Sequence, residues 1–169
     1  MYADVIRAWR AGDIIPLFSI GNSGPSCNTA NSPGDHEDVI GVGSTTEADD
    51  LSYFSSVGPT LIGARIKPDI SAPGSSVLSA YHTSDSAYAS LSGTSMACPH
   101  AAGATALALS ANPNLSYAQL KQSLEGGSET INSGGLTCAG IPDTVYPNHH
   151  AGYGRINALK SVNRARSFL

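Results

Sequence analysis

The sequence has few charged residues and no strong excess of either sign. Lysine and arginine together number 9, aspartate and glutamate 13, and the 169-residue chain has a formal net charge of −4 at pH 7. A chain without a basic surface lacks the attraction by which proteins hold a phosphate backbone. We therefore expect no nucleic-acid partner.

Long apolar runs are also missing. The longest runs, "IIPLF" and "ALAL", are far shorter than the roughly 20 residues that a transmembrane helix needs. The first residues, "MYADVIRAWRAGD", mix acidic and basic side chains with apolar ones and offer no small-residue cleavage site. We predict neither a membrane partner nor a signal peptide in this chain.

Cysteine is scarce as well. The three cysteines, Cys27, Cys98 and Cys138, are far apart in the sequence and fit no zinc-binding spacing. We predict no metal site. The odd number allows at most one internal disulfide and leaves at least one thiol.

What the sequence does contain is an alternation of apolar runs and turn-forming residues. Residues 2–11 have helical spacing, and Gly12 is a typical helix end. The runs "IIPLFSI" and "DVIGVGSTT" predict strands buried on both faces. "KPDISAPG" predicts a short strand, and two alternating segments around Thr83–Asp85 predict a hairpin. Helices around buried strands indicate an α/β fold with a parallel sheet.

Three helices are predicted in the second half of the chain. The first begins at Ser95 and ends near Ala111; its side chains are small or apolar on every side, so we expect it to be buried in a domain. The second lies in "NPNLSYAQLKQSLEGG", where Ser116 and Gln119 have the spacing of a capping box. The third is the amphipathic segment "RINALKSVNRARSF".

Ser95 is predicted to lie at the N-terminus of a helix, a position that suits a catalytic residue. A helix N-terminus offers free N–H groups and partial positive charge, which stabilise a developing oxyanion. Gly93 would let the backbone approach a substrate closely. Taken alone, these residues equally allow Thr94 and Ser95 to be simple capping residues.

The longer motif resembles that of a known family. "SGTSMACPHAAG" is similar to the nucleophile motif of the subtilisin-like serine proteases, peptidase family S8. "SIGNSGP", "DVIGVGSTT", "LSYFSSVGP", "KPDISAPG" and "GYGRINALKSV" resemble other segments of that family, in the same order. The segment from "TCAGIPDTVYP" onwards is most similar to bacillopeptidase-F-like members. The resemblance implies a three-layer α/β fold with a mainly parallel sheet between helices.

The resemblance also implies roles for individual residues. Ser95 would be the nucleophile, and its own N–H together with the Asn22 side-chain amide would hold the oxyanion. Ser19, Ile20 and Gly21 would form one wall of the substrate pocket, and Gly93 and Thr94 would contribute to substrate binding; these seven residues are the complete candidate site. The implied substrate is a polypeptide. No cofactor is expected, although calcium is found in the intact family fold.

Two members of the catalytic triad have no counterpart in this sequence. In the family the chain order is Asp, then His, then Ser, and the asparagine segment here already lies at Asn22. Residues 1–169 therefore resemble the C-terminal portion of a catalytic domain, an incomplete fold whose partner would be the missing N-terminal half. We expect a secreted serine endopeptidase as the intact protein and an inactive chain in isolation. The alternative is a truncated or pseudoprotease product that binds peptide or a partner without cutting it.

None of the five histidines is a convincing replacement for the base. His100 lies five residues after Ser95 on the same helix, about 140° around its axis. His36, His82, His149 and His150 are expected to be solvated loop residues.

The remaining motifs leave alternatives open. Cys98 is expected to be an inert core thiol, and Cys27 and Cys138 could pair with each other or with cysteines of the missing half. Asn114-Leu115-Ser116 is a formal glycosylation sequon, but a helix cap explains Ser116 as well, and we favour the cap.

Overall fold

Residues 2–169 are described by a computed structural model. Its centre is a parallel sheet of three strands in the order β1–β2–β3. The strands are β1 (Leu17–Ser19), β2 (Ile40–Thr45) and β3 (Ile70–Pro73). Parallel strands need cover on both faces, and every residue of β2 is buried, as its apolar sequence predicts.

Four helices surround this sheet: α1 (Ala3–Ala11), α2 (Thr94–Ala111), α3 (Tyr117–Gly126) and α4 (Ala158–Arg166). Helix α2 packs against all three strands, and α3 and α4 pack against α2. Leu17 of β1 contacts the core on the α2 side, whereas Phe18 stacks on Trp9 of α1 at 6.1 Å. Because neighbouring side chains of a strand point to opposite faces, α1 lies on the other face, and the fold has three layers.

The main core lies between the sheet and α2. Its buried residues are Ile40, Val42, Ile70, Ala72, Ala97, Ala101, Ala104, Leu124 and Ile156. The three alanines of α2 recur at spacings of three and four residues, so they share one helix face. Their small side chains let the helix axis approach the sheet closely.

Two short antiparallel hairpins complete the secondary structure. The first pairs β4 (Val77–Ala80) with β5 (Tyr88–Leu91), as the alternating pattern predicts. The second pairs β6 (Thr137–Cys138) with β7 (Ile141–Pro142). Helix α3 begins with the predicted capping box, in which Ser116 and Gln119 each bond the other's backbone N–H. No helix within residues 2–169 has both the length and the apolar content that a membrane crossing requires.

Burial differs from the sequence pattern at three places, and the expectation that His149 and His150 are solvated is wrong. Only Leu17–Ser19 of "IIPLFSI" forms a strand, and it is half-buried, because no strand among residues 2–169 pairs with its outer edge. Helix α2 is exposed along one face, where Leu107 is 55% accessible. His149 and His150 are not solvated: their accessibilities are 2% and 0%.

One of the two buried histidines, His150, lies beside a disulfide. Cys27 and Cys138 are bonded to each other, with their Cα atoms 5.7 Å apart, so the chain itself contains the pairing partner. His150 Nε2 lies 3.4 Å from the Cys138 sulfur. His150 thus packs against the disulfide, whereas the His149 ring lies against Gly58. Cys98 is a free, half-buried thiol whose pKa is raised by burial.

A buried ion cluster links the amino-terminal ends of β2 and β3. Lys67, whose side chain is 2% accessible, lies 2.5 Å from Asp69 and donates to the carbonyl of Val39 at 2.9 Å. Asp69 also accepts from Lys121 Nζ at 2.6 Å and from the Gly41 N–H at 2.6 Å. Burial lowers the pKa of Lys67 in spite of the neighbouring carboxylate. The strand pattern does not reveal this cluster, because Lys121 is supplied by a distant helix.

Candidate active site

The candidate residues meet at the carboxyl edge of the parallel sheet. Strand β1 ends three residues before Asn22, and β3 ends immediately before Gly74. The Gly74 carbonyl accepts a hydrogen bond from the Gly93 N–H at 2.8 Å, which places the start of α2 at the same edge. The carboxyl ends of parallel strands form the usual binding edge of α/β sheets.

Asn22 is joined to the first residue of α2. Its side-chain Oδ1 accepts hydrogen bonds from the Thr94 backbone N–H and from the Thr94 hydroxyl, both at 2.8 Å. Because Oδ1 is engaged in this way, the rotation of the amide group is set. The Asn22 Nδ2 remains as a donor without an acceptor among residues 2–169, and it lies 3.7 Å from the position that a Cβ atom on Gly93 would occupy.

Ser95 is exposed and follows Thr94 in the first turn of α2. The next two amides, those of Met96 and Ala97, donate to the Gly93 carbonyl at 2.9 and 3.3 Å. The Ser95 N–H has no acceptor within residues 2–169. The site therefore presents two uncommitted N–H donors, from Ser95 and Asn22, beside an accessible hydroxyl at the positive end of a helix.

Ser95 lines a surface pocket of about 340 Å³. The pocket is lined by residues 77–79 of β4 and by Ser95, Met96, Pro99 and His100. His100 therefore shares this pocket with Ser95, although the helical wheel separates the two side chains. Its ring is held by its own helix, because Nδ1 lies 2.8 Å from the Met96 carbonyl oxygen.

The other histidines are engaged elsewhere. His36 Nδ1 accepts from the Asp38 N–H at 3.1 Å, and His82 packs against the Tyr81 ring at 4.4 Å. His149 is buried against Gly58, and His150 is buried next to the disulfide. In the part of the chain that the structure describes, no histidine is hydrogen-bonded to Ser95. The geometry of residues 2–169 therefore joins an exposed hydroxyl to two N–H donors that have no acceptor, and no histidine of this part of the chain is bonded to the hydroxyl.

The three residues before Asn22 are built to redirect the chain. Ser19 and Gly21 are half-buried, and Ile20 is fully buried, so Ile20 could contact a ligand only through its main chain. Gly21 has φ +112°, a conformation that side chains rarely adopt. A Cβ atom there would overlap the Asn31 side chain and lie 2.8 Å from Ser56 Oγ. Glycine is therefore required for the turn that presents Asn22.

The model of the subtilase family of peptidases matches residues 2–154. The chain belongs to the subtilase family. Relatives in this family are named as serine proteases. The mixed α/β architecture of the chain is that of the family.

Curated subtilases resemble the chain over most of its length. Serine protease AprX of Bacillus subtilis (strain 168) is 40% identical over 144 residues, which are 74% of this chain and 32% of AprX. Bacillopeptidase F of the same organism is 36% identical over 170 residues, 96% of this chain and 11% of that protein. Thermitase of Thermoactinomyces vulgaris is 36% identical over 156 residues, which are 92% of this chain and 46% of thermitase. The chain thus spans less than half of each of these relatives.

Solved structures show the same fold relationship. Sphericase superposes with a TM-score of 0.78 at 26% identity, covering 92% of this chain and 51% of that chain. The prenylagaramide maturation protease PagA superposes with a TM-score of 0.77 at 23% identity, and the superposition covers 96% of this chain and 55% of PagA. The subtilase chain described here therefore corresponds to about half of each of these two structures.

No cluster of three or more His, Cys, Asp or Glu side chains within residues 2–169 is arranged to hold a metal ion.

Proposed function

We propose that this chain carries the nucleophile and the oxyanion donors of a secreted subtilisin-like serine endopeptidase. Ser95 attacks the scissile carbonyl, and the Ser95 N–H and Asn22 Nδ2 hold the oxyanion that forms. Membership of the subtilase family supports peptide-bond hydrolysis as the reaction of the intact protein. The observation that carries the residue assignment is the double hydrogen bond from Thr94 to Asn22 Oδ1.

That hydrogen-bond pair matters because oxyanion donors act through preorganisation. A donor that is already oriented needs no rearrangement when charge develops on the substrate oxygen, and removing one typically costs about 10²–10³ in rate. Asn22 is oriented by a residue adjacent to the nucleophile. The donor and the attacking group are therefore held in one rigid unit at the start of α2.

The substrate in this proposal is a polypeptide bound largely through backbone contacts. Ser19, Ile20 and Gly21 form one wall of the pocket, and Gly93 and Thr94 lie beside the scissile bond. The reaction needs no cofactor, and calcium has no part in the proposal. Passage through an oxidising compartment agrees with the Cys27–Cys138 disulfide and with relatives named as extracellular or cell-wall-associated proteases.

The histidine and aspartate of the triad come, in this proposal, from a segment outside residues 1–169. A neutral serine without a base is a poor nucleophile, so the isolated chain is inactive or nearly so. A fluorophosphonate probe tests this proposal. We expect stoichiometric labelling of Ser95 in a full-length protease that contains the chain, abolished by Ser95→Ala, and negligible labelling of the 169-residue chain alone. Rapid labelling of the isolated chain would contradict the missing-base part of the proposal.

The second candidate is a non-catalytic subtilase chain that binds peptide or a partner. The lack of a histidine bonded to Ser95 within the described residues favours it. The coding sequence upstream of Met1 distinguishes the two. An in-frame extension with Asp-Thr-Gly-like and His-Gly-Thr-like motifs supports the protease, whereas an independent start without them supports the binding protein.

A further inference from the structure

The turn between α2 and α3 contains the sequon Asn114-Leu115-Ser116, which the proposed peptidase function leaves unused. In the structure Asn114 and Leu115 differ in burial. Leu115 packs against the small core formed by Ala108, Leu120 and Ala165, whereas Asn114 is exposed. The Asn114 side-chain amide has no hydrogen-bond partner among residues 2–169. Its nitrogen is therefore accessible and uncommitted.

The shape of the turn does not depend on the Asn114 side chain. Buried Asn112 maintains it: Asn112 Oδ1 accepts from the Asn114 backbone N–H at 3.1 Å, and Asn112 Nδ2 donates to the Ala165 carbonyl at 3.0 Å. A large group attached to the Asn114 amide would extend into solvent without breaking either contact. Asn112 thus maintains the turn, whereas the Asn114 side chain has no structural role in it.

Ser116 can serve both as sequon hydroxyl and as helix cap. In the folded chain its Oγ accepts from the Gln119 N–H at 3.3 Å and donates to Gln119 Oε1 at 2.9 Å. N-linked glycans are added to chains entering the secretory pathway, where the sequon is read. The hydroxyl is available at that stage, before α3 forms, and takes up its capping contacts afterwards.

From these contacts we propose that Asn114 is an acceptor for an N-linked oligosaccharide. The proposal rests on the proposed secretion of the protein but not on its catalysis. The donor is a lipid-linked oligosaccharide pyrophosphate. The Asn114 amide nitrogen forms a bond to the anomeric carbon of the first sugar, the bond from that carbon to the lipid pyrophosphate breaks, and the amide gives up one proton.

The position of Asn114 keeps the glycan away from the chemistry. Ser95 lies in the first turn of α2, and Asn114 lies just beyond its last turn. With 18 residues and a rise of 1.5 Å per residue, α2 is about 27 Å long. The glycan is therefore attached at the end of α2 that lies away from Ser95.

The test secretes the full chain through the endoplasmic reticulum of a yeast host, with four sequences compared: the natural one, Asn114→Gln, Ser116→Thr and Ser116→Asp. Asn114→Gln removes the acceptor and keeps the cap. Ser116→Asp removes the sequon hydroxyl and keeps a good capping residue. Ser116→Thr keeps both. Formation of the Cys27–Cys138 disulfide, mapped on the same samples, shows that each chain passed through the oxidising compartment.

We expect a mobility shift for the natural chain and Ser116→Thr that peptide N-glycosidase removes, leaving aspartate at position 114 in the peptide map. Asn114→Gln and Ser116→Asp lose the shift completely. An unshifted natural chain with an intact disulfide overturns the proposal, and so does a shift that persists in Asn114→Gln. Because glycan addition does not require a finished fold or an active site, either result is independent of peptidase activity.

Discussion

The amide oxygen of Asn22 accepts two hydrogen bonds from one residue, the backbone N–H and the hydroxyl of Thr94, both at 2.8 Å. Thr94 is itself fully buried, so its hydroxyl has no competing contact with bulk water. The orientation of a candidate oxyanion donor thus depends on a side chain that need not touch the substrate.

Under the proposed function, replacing that hydroxyl should slow peptide hydrolysis by a full-length protein that contains this chain. Thr94→Val removes one of the two bonds at nearly constant volume. One neutral hydrogen bond contributes about 1 kcal/mol, so we expect kcat to fall roughly 5- to 10-fold with KM little changed. Asn22→Ala should cost about 10²–10³. Steady-state kinetics on a peptide substrate measures both effects.

Thr94→Ser is the matched control because it keeps the hydroxyl, and its kcat should remain near that of the natural sequence. Asn163 is exposed and lies on α4, far from the site. Asn163→Ala should leave kcat unchanged. Equal loss of activity in Thr94→Val and Thr94→Ser would mean that packing of the methyl group, not the hydrogen bond, orients Asn22.

The disulfide should contribute strongly to stability. Cys27 and Cys138 are 111 residues apart, and crosslinks that close long loops restrict the unfolded chain most. Replacing both cysteines by serine should lower the free energy of unfolding by about 2–5 kcal/mol, measured by urea denaturation. Cys98→Ser should retain the crosslink, because Cys98 is the unpaired thiol. A Cys98-containing disulfide in a non-reduced peptide map would contradict the pairing.

Stability should also fall in mild acid. Burial lowers the pKa of His149, aided by the charge of His150, and burial lowers the pKa of His150 against the opposing influence of Asp143. A base whose pKa is lower in the folded state binds its proton more readily after unfolding. The unfolded state then holds more protons below the ordinary histidine pKa of about 6.5, and stability is lost as the pH falls through that value.

Urea denaturation between about pH 7.5 and about pH 5 tests this expectation. The slope of unfolding free energy against pH should be smaller for His150→Gln than for the natural sequence. Exposed His82→Gln controls for the loss of a histidine as such. An unchanged slope in His150→Gln would show that His150 is not responsible for the pH dependence.

The exposed face of α2 should make the isolated chain self-associate. Leu107 is 55% accessible, Gly103 one turn before it is also exposed, and the outer edge of β1 pairs with no strand among residues 2–169. Open edges and apolar patches promote aggregation. Leu107→Lys should shift the chain towards monomer in size-exclusion chromatography. A clean monomer with a sharp thermal transition for the natural chain would contradict the expectation.

The control for that experiment is a buried leucine on α3. Leu120 is fully buried, and Leu120→Ala should destabilise the chain by about 2–5 kcal/mol without reducing association. If Leu107→Lys destabilises the chain as much as Leu120→Ala does, then α2 is covered in solution by another part of the chain or by a second copy.

The sequence predicts local structure well where a short pattern is sufficient. Helix α1 with its Gly12 end, the buried strand β2, and the capping box of Ser116 each follow from neighbouring residues, and each is confirmed. The pairing of Asn22 with the Ser95 segment was available only through family resemblance, because 72 residues separate Asn22 from Thr94. Periodicity carries no information about such a contact.

Burial was the property that sequence reasoning predicted least well. His149 and His150 lie in a polar, turn-rich segment, and nothing in their immediate sequence shows that Gly58 and Cys138 contact them in the folded chain. Helix α2 is apolar on all sides, and this composition is typical of a fully buried helix. It does not show how much of the helix residues 2–169 themselves cover. The cluster around Lys67 needed Lys121, which is near it only in three dimensions.

The Cys27–Cys138 bond also gives the covalent structure a ring with two tails. Ser95 lies inside the ring, as do Leu61 and Ile62, two exposed apolar residues in the turn before β3. One peptide bond cut anywhere between the two cysteines opens the ring but releases no piece, because the sulfur bridge still joins the ends. A nicked chain would therefore migrate as one species without reductant and as two with it.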